Sequence, residues 1–137
     1  MKTIVVGYDD TEPAKRALAR AADLGEAFGA KLVVTSVAPV SLPAGGRGSS
    51  AVDPTDPPSE HVKELKHAQA YLEGQGVTAH YQAGLGHPAE TIAELAKERD
   101  ADLIVVGHHH SGIGRLLGQS VSDSVAHKAH CDVLFVR

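Results

Sequence analysis

A chain of 137 residues has room for one hydrophobic core and needs no covalent staple to hold it. Its 42% hydrophobic and 22% charged residues are ordinary globular usage and exclude a disordered chain. A net charge of −4 with both signs interspersed excludes a broad field for collecting nucleic acid, the absence of Trp argues against a base-stacking platform, and one cysteine excludes a disulfide framework or a CxxC site.

The opening MKTIVVGYDD holds only three consecutive apolar residues, Ile4, Val5 and Val6, too few for a signal-peptide core or a membrane span. The expectation is a cytoplasmic protein with no membrane association. The first strand is expected at Thr3–Gly7. The first helix follows from near Thr11, whose hydroxyl suits an N-cap with Glu12 and Pro13 in the first turn. It carries Leu18, Ala21, Ala22 and Leu24 inward and stops at Gly29. A second strand is expected over 32–37.

Residues 38–59, APVSLPAGGRGSSAVDPTDPPS, are rich in Pro, Gly and Ser without apolar periodicity and read as one long flexible connection, either a binding lid or a surface insertion. Val62, Leu65, Ala68, Tyr71 and Leu72 then recur at helical spacing and predict a helix over 60–75, closed by Gly74 and Gly76. A strand over 77–83 and a helix over Pro88–Glu98, with Ile92, Leu95 and Ala96 inward, come next. A strand over 103–106 precedes a last helix signalled by Ser120, Val121, Ser122 and Asp123, which read as a capping box, and the final strand lies over 133–136. This alternation predicts an α/β domain over 1–137: an open parallel five-stranded sheet, order 3-2-1-4-5, with helices on both faces.

Two strand ends carry the candidate chemistry: IVVGYDDTEPA after the first strand and LIVVGHHHSGIGRLLGQSVSD after the fourth. Ligands of open parallel sheets sit beyond the carboxyl ends of the strands where strand order reverses. A phosphate there would meet the free N–H groups of the last helix around Ser120, Val121 and Ser122, with two hydroxyls in reach. Asp9 suits a ribose hydroxyl or a metal bridged to phosphate, and Arg115 suits bidentate phosphate contact. Each also has a plain structural role: Thr11 and Ser120 as caps, Asp9 and Asp10 as turn residues, the glycines as turn formers.

The segments VVGYDDTEPAKRAL, GHPAETIAELAKERDADLIVVGHHH and LLGQSVSDSVAHKAHCDVLFVR together resemble the opening, middle and close of universal stress proteins. That resemblance implies a Rossmann-like sheet, homodimers paired through the last strand and, in one branch, an ATP site with the pattern G-2x-G-9x-G-(S/T). On this chain Asp9 stands at the family aspartate, Val37 at the second-strand end whose backbone meets adenine, and Gly107 at the first motif glycine. His110 stands where the second glycine belongs. Gly107 and Ser120 are 13 positions apart against 14 in the pattern, which puts Gln119 at the last glycine; taking Gly118 as that glycine leaves the loop two residues short and Gln119 in place of the hydroxyl.

Two readings follow. One is a non-catalytic stress-response regulator that holds ATP, with magnesium, or another adenine nucleotide. The other is a nucleotide-free homodimeric interaction module of the same family. Slow nucleotide hydrolysis is the third and weakest reading, for the chain has no Walker motif. His108, His109 and His110 invite a metal, but adjacent side chains diverge and an exposed polar loop is the simpler reading. His61, His67 and His80 read as solvated surface, and Cys131 as a small apolar residue. The last strand is a sheet edge that a second subunit would cover.

Overall fold

The computed structural model describes residues 1–41, 51–52, 57–108 and 118–137. In chain order the elements are β1 (Thr3–Gly7), α1 (Glu12–Phe28), β2 (Lys31–Ala38), β3 (Val40–Ser41), β4 (Ala51–Val52), α2 (Pro58–Gly74), β5 (Ala79–Leu85), α3 (Pro88–Glu98), β6 (Leu103–Gly107), α4 (Gly118–Lys128) and β7 (Asp132–Val136). Five strands form one parallel sheet in the order β5-β2-β1-β6-β7, which is the 3-2-1-4-5 arrangement expected from the sequence.

β1 lies at the centre, where Ile4, Val5 and Val6 have no solvent exposure. Side chains alternate across a strand, so its two faces serve two cores. Ile4 and Val6 join Leu32, Val34, Leu103 and Val105 against Ala17, Leu18 and Ala21 of α1 and Leu65, Ala68 and Leu72 of α2. Val5 joins Val33, Ile104 and Val106 against Ile92 and Leu95 of α3 and Val125 of α4. Among the described residues no helix is long and apolar enough to cross a membrane.

The ends of α1 follow from its sequence. Thr11 Oγ1 accepts from Ala14 N at 3.4 Å, and Gly29, at φ 66°, turns its N–H back to Gly25 O. Asp102 ties the N-terminus to the sheet: its Oδ2 accepts from Lys2 N at 2.6 Å and Thr3 N at 3.0 Å, and these bonds hold its carboxyl below the usual carboxylate range. At the other end, Arg16 Nε donates to Arg137 O at 2.6 Å.

The structure departs from the expected boundaries in five places. β2 gains Lys31 and Ala38 because it pairs along its whole length with β5. β5 starts at Ala79 rather than 77, since the Val77 N–H closes α2 on Leu72 O at 2.8 Å, and it runs on to Leu85 opposite Ala38. α2 starts at Pro58, a residue suited to a first helical turn. α4 starts at Gly118, so Ser120 lies inside its first turn instead of capping it. The segment 38–59 is not one irregular connection: Val40 and Ser41 pair antiparallel with Val52 and Ala51.

The end of β6 presses on the start of α1. A Cβ on Gly107 would lie 2.6 Å from both Ala14 N and Pro13 C, backbone atoms that cannot rotate away. Gly107→Ala is therefore expected to cost about 1–3 kcal/mol through overpacking, read as a lower urea midpoint with an unchanged slope. Gly74→Ala, where nothing lies within 4 Å, serves as the control and should not lower the midpoint; equal stability of the two variants would refute the packing role.

Candidate functional site

The chain leaves β1 at Gly7 and stays bonded to the sheet for one more residue, with Tyr8 N donating to Thr35 O at 2.9 Å. Tyr8 is buried on the face of α1 and α2. The next three residues divide the turn among them. Asp9 Oδ1 accepts from Thr11 Oγ1 at 2.6 Å and from Thr11 N at 3.2 Å, so the carboxylate orients the hydroxyl that caps α1. Asp10 adopts φ 60°, a left-handed conformation that Asp tolerates better than most residues, and its Oδ2 meets Nδ1 of His67 on α2 at 2.6 Å.

β6 is the neighbour of β1 on the side where strand order reverses. Its last residue, Gly107, faces Pro13 and Ala14, and the next, His108, donates its N–H to Val136 O at 2.7 Å with its ring edge-on to Phe135 at 6.1 Å. Val37, near the end of β2, is buried on the α3 side and closely packed around Gly84. The adjacent strands β2, β1 and β6 thus carry Val37, Asp9 and Gly107 at or just beyond one edge of the sheet. Gly118, Ser120, Val121 and Ser122 form the first turns of α4, the helix that follows β6. His110 and Arg115 lie outside the described residues.

Two histidines correct the sequence reading. His61 is not solvated: it is 2% exposed, with Nδ1 2.7 Å from Ser36 Oγ and 3.2 Å from Glu64 Oε1. The signal was its spacing, for His61 stands four before Leu65 and Glu64 four before Ala68, on the buried stripe of α2. His67 is exposed but bonded to Asp10 across 57 positions, a pairing no local pattern announces. Ser36, His61 and Glu64 do not make a catalytic relay. Such a relay uses both ring nitrogens, one for the nucleophile and one for the acid, whereas here both partners meet Nδ1.

Burial, then the Asp10 carboxylate beside it, then the charges of Asp9 and Glu64 push the Tyr8 phenol well above its ordinary range. Burial and Glu73 raise Tyr81. Burial, then Asp132 and Asp102, push the Cys131 thiol up, which keeps it protonated and suits its place against the core. Among the described residues no group of three or more His, Cys, Asp or Glu is placed to hold a metal.

The profile of the universal stress protein family matches residues 1–137. The chain belongs to the universal stress protein family. It is 34% identical to a universal stress protein of Methanocaldococcus jannaschii over 99% of this chain and 82% of the relative. It is 30% identical to one from Synechocystis over 98% and 96%. Among solved structures, a universal stress protein crystallised in complex with cAMP superposes with a TM-score of 0.73 at 29% identity, covering 99% of this chain and 97% of the other. The Archaeoglobus fulgidus universal stress protein in complex with dAMP gives 0.70 at 27% identity, over 100% and 98%.

In this universal stress protein the raised Tyr8 phenol has a consequence at alkaline pH. The folded state keeps a proton that the unfolded chain loses near pH 10, about the free tyrosine value. Its contribution is fully present below that pH and falls as pH rises above it. Tyr8→Phe should flatten the alkaline loss of stability in urea titrations from pH 8 to about 11, leaving the smaller shares of Tyr81 and Cys131. An unchanged alkaline slope would contradict the assignment.

Proposed function

We propose that this universal stress protein binds an adenine nucleotide at the carboxyl edge of β1, β2 and β6, and acts as a non-catalytic regulator in a stress response. The carrying observation is the sheet edge itself: strand order reverses between β1 and β6, with Asp9 just past β1, Val37 near the end of β2 and Gly107 at the end of β6. Relatives of the same fold that match nearly the whole chain hold cAMP and dAMP. In this reading Asp9 takes the ribose and the Val37 backbone meets adenine. Gly107, His110, Arg115, Gly118, Ser120, Val121 and Ser122 surround the phosphate, which gains from the free N–H groups of α4.

The altered glycine pattern bears on which nucleotide fits. His110 in place of glycine and the shortened spacing to Ser120 favour a ligand with one phosphate, as in cAMP or AMP, over ATP with magnesium. Gly107 has a packing reason of its own against α1, so it supports the site without requiring it. Binding rather than turnover is proposed because Ser36, His61 and Glu64 are buried in a geometry that activates no nucleophile.

The test is to denature protein purified without added nucleotide, identify what is released, and titrate the emptied protein with cAMP, AMP and ATP with magnesium by calorimetry. Released nucleotide or saturable micromolar binding, weakened in Asp9→Asn, is the expected result. Neither release nor binding would leave the nucleotide-free interaction module as the reading.

We also propose a single cytoplasmic domain that pairs through β7. This strand bonds only to β6, and Val133, Leu134 and Phe135 are half-buried in succession along it, an open edge with apolar area for a second copy to cover. Sedimentation equilibrium should give twice the chain mass over a wide concentration range, and a monomer at every concentration would overturn the pairing.

A further inference from the structure

A cavity of about 450 Å³ opens between α1 and α2, on the face of the sheet opposite α3 and α4. Its walls are Tyr8, Leu18 and Tyr71, with Asp10, Lys15 and His67 as the charged or titratable lining. The volume suits a small organic molecule rather than a bare ion.

The lining decides the sign of the ligand. Asp10 carries two unequal oxygens: Oδ2 meets His67 Nδ1 at 2.6 Å, while Oδ1 is enclosed with no hydrogen bond from the described residues. A carboxylate oxygen withdrawn from water without a donor is costly, and a charged donor relieves it most. The cation of Lys15 is already engaged, 3.3 Å from Glu12 Oε1. Asp9, Asp10 and Glu64 all bear on Tyr8, so the field at this wall is negative. The faces of two tyrosines attract a cation, and Leu18 accepts apolar surface. His67 is largely exposed and is not held in place by packing, so it can swing aside to admit a second donor to Asp10.

We infer that this cavity is a binding site for a small organic cation, a primary ammonium on an aromatic or branched apolar body, with Asp10 as its anchor. The site is separate from the strand-end crevice and does not depend on nucleotide binding.

Phenethylamine hydrochloride is the probe, titrated into the full-length ¹⁵N-labelled protein and followed by amide chemical shifts. Saturable shifts confined to residues around Leu18, His67 and Tyr71 are expected. Asp10→Asn keeps a side chain that tolerates φ 60° and should weaken binding at least tenfold. Tyr71→Ala, on an exposed helix position, should weaken it severalfold without unfolding the chain. 3-Phenylpropionate, of similar shape and opposite charge, should give no saturable shift. Absence of saturation by the amine, full affinity in D10N, or equal binding of the carboxylate would each overturn the site.

Discussion

The burial of β1 on both faces governs the rest of the structure. Ile4, Val5 and Val6 exclude water entirely, which a single layer of helices cannot achieve, so α1 and α2 must cover one face while α3 and α4 cover the other. With right-handed crossovers, helices on opposite faces send the chain outward from β1 in opposite directions: β2 and β5 to one side, β6 and β7 to the other. The reversal beside β1 is therefore a consequence of its burial. So is the crevice there, because α1 and α4 leave the sheet on opposite faces and leave the space between the strand ends uncovered.

At that crevice, polar residues act in the fold and in the proposed site together. Asp9 orients Thr11, which caps α1, and α1 in turn is pressed by Gly107 of β6. Asp10 reaches the other way, to α2. Two adjacent aspartates thus point to two different elements, which requires the backbone reversal seen as φ 60° at Asp10. A ligand at Asp9 would enter a turn already organised by short hydrogen bonds, so little ordering entropy stands against binding. The same economy means that Asp9 or Gly107 alone does not certify a ligand, since each has structural work without one.

The apolar strands were legible because parallel strands buried on both faces are written as runs of β-branched residues, with no alternation to confuse them. Both ends of α1 were legible because a hydroxyl cap and a left-handed glycine act locally. What escaped the sequence was set at a distance. β5 takes its bounds from pairing with β2, not from its own composition. The two-residue ladder of Val40 and Ser41 with Val52 and Ala51 is too short to leave a periodic signal among Pro, Gly and Ser. His61 was misread because polarity was weighed above position, although its place one turn before Leu65 put it on the buried stripe. The strand-end site was legible as far as Asp9, Val37 and Gly107, residues tied to strand ends; the cavity beside Asp10 was not, for its walls come from β1, α1 and α2 and meet only when the fold closes.

The buried polar group of Ser36, His61 and Glu64 then has a reason in the connectivity. Twenty residues separate Ser36 from the first described residue before α2, Pro57, and loop closure that long costs only slightly more than a shorter one, so chain length sets α2's position weakly. The apolar stripe of Leu65, Ala68 and Leu72 would tolerate sliding along the sheet, because dispersion contacts are non-directional. A hydrogen bond is directional. With Ser36 Oγ on β2 held 2.7 Å from His61 Nδ1 on α2, a one-turn shift of the helix would strand three polar groups away from water, at a cost far above the few tenths that repacking leucines would demand. The polar contact therefore fixes the helix that carries His67 and Tyr71, and with it the wall of the α1–α2 cavity.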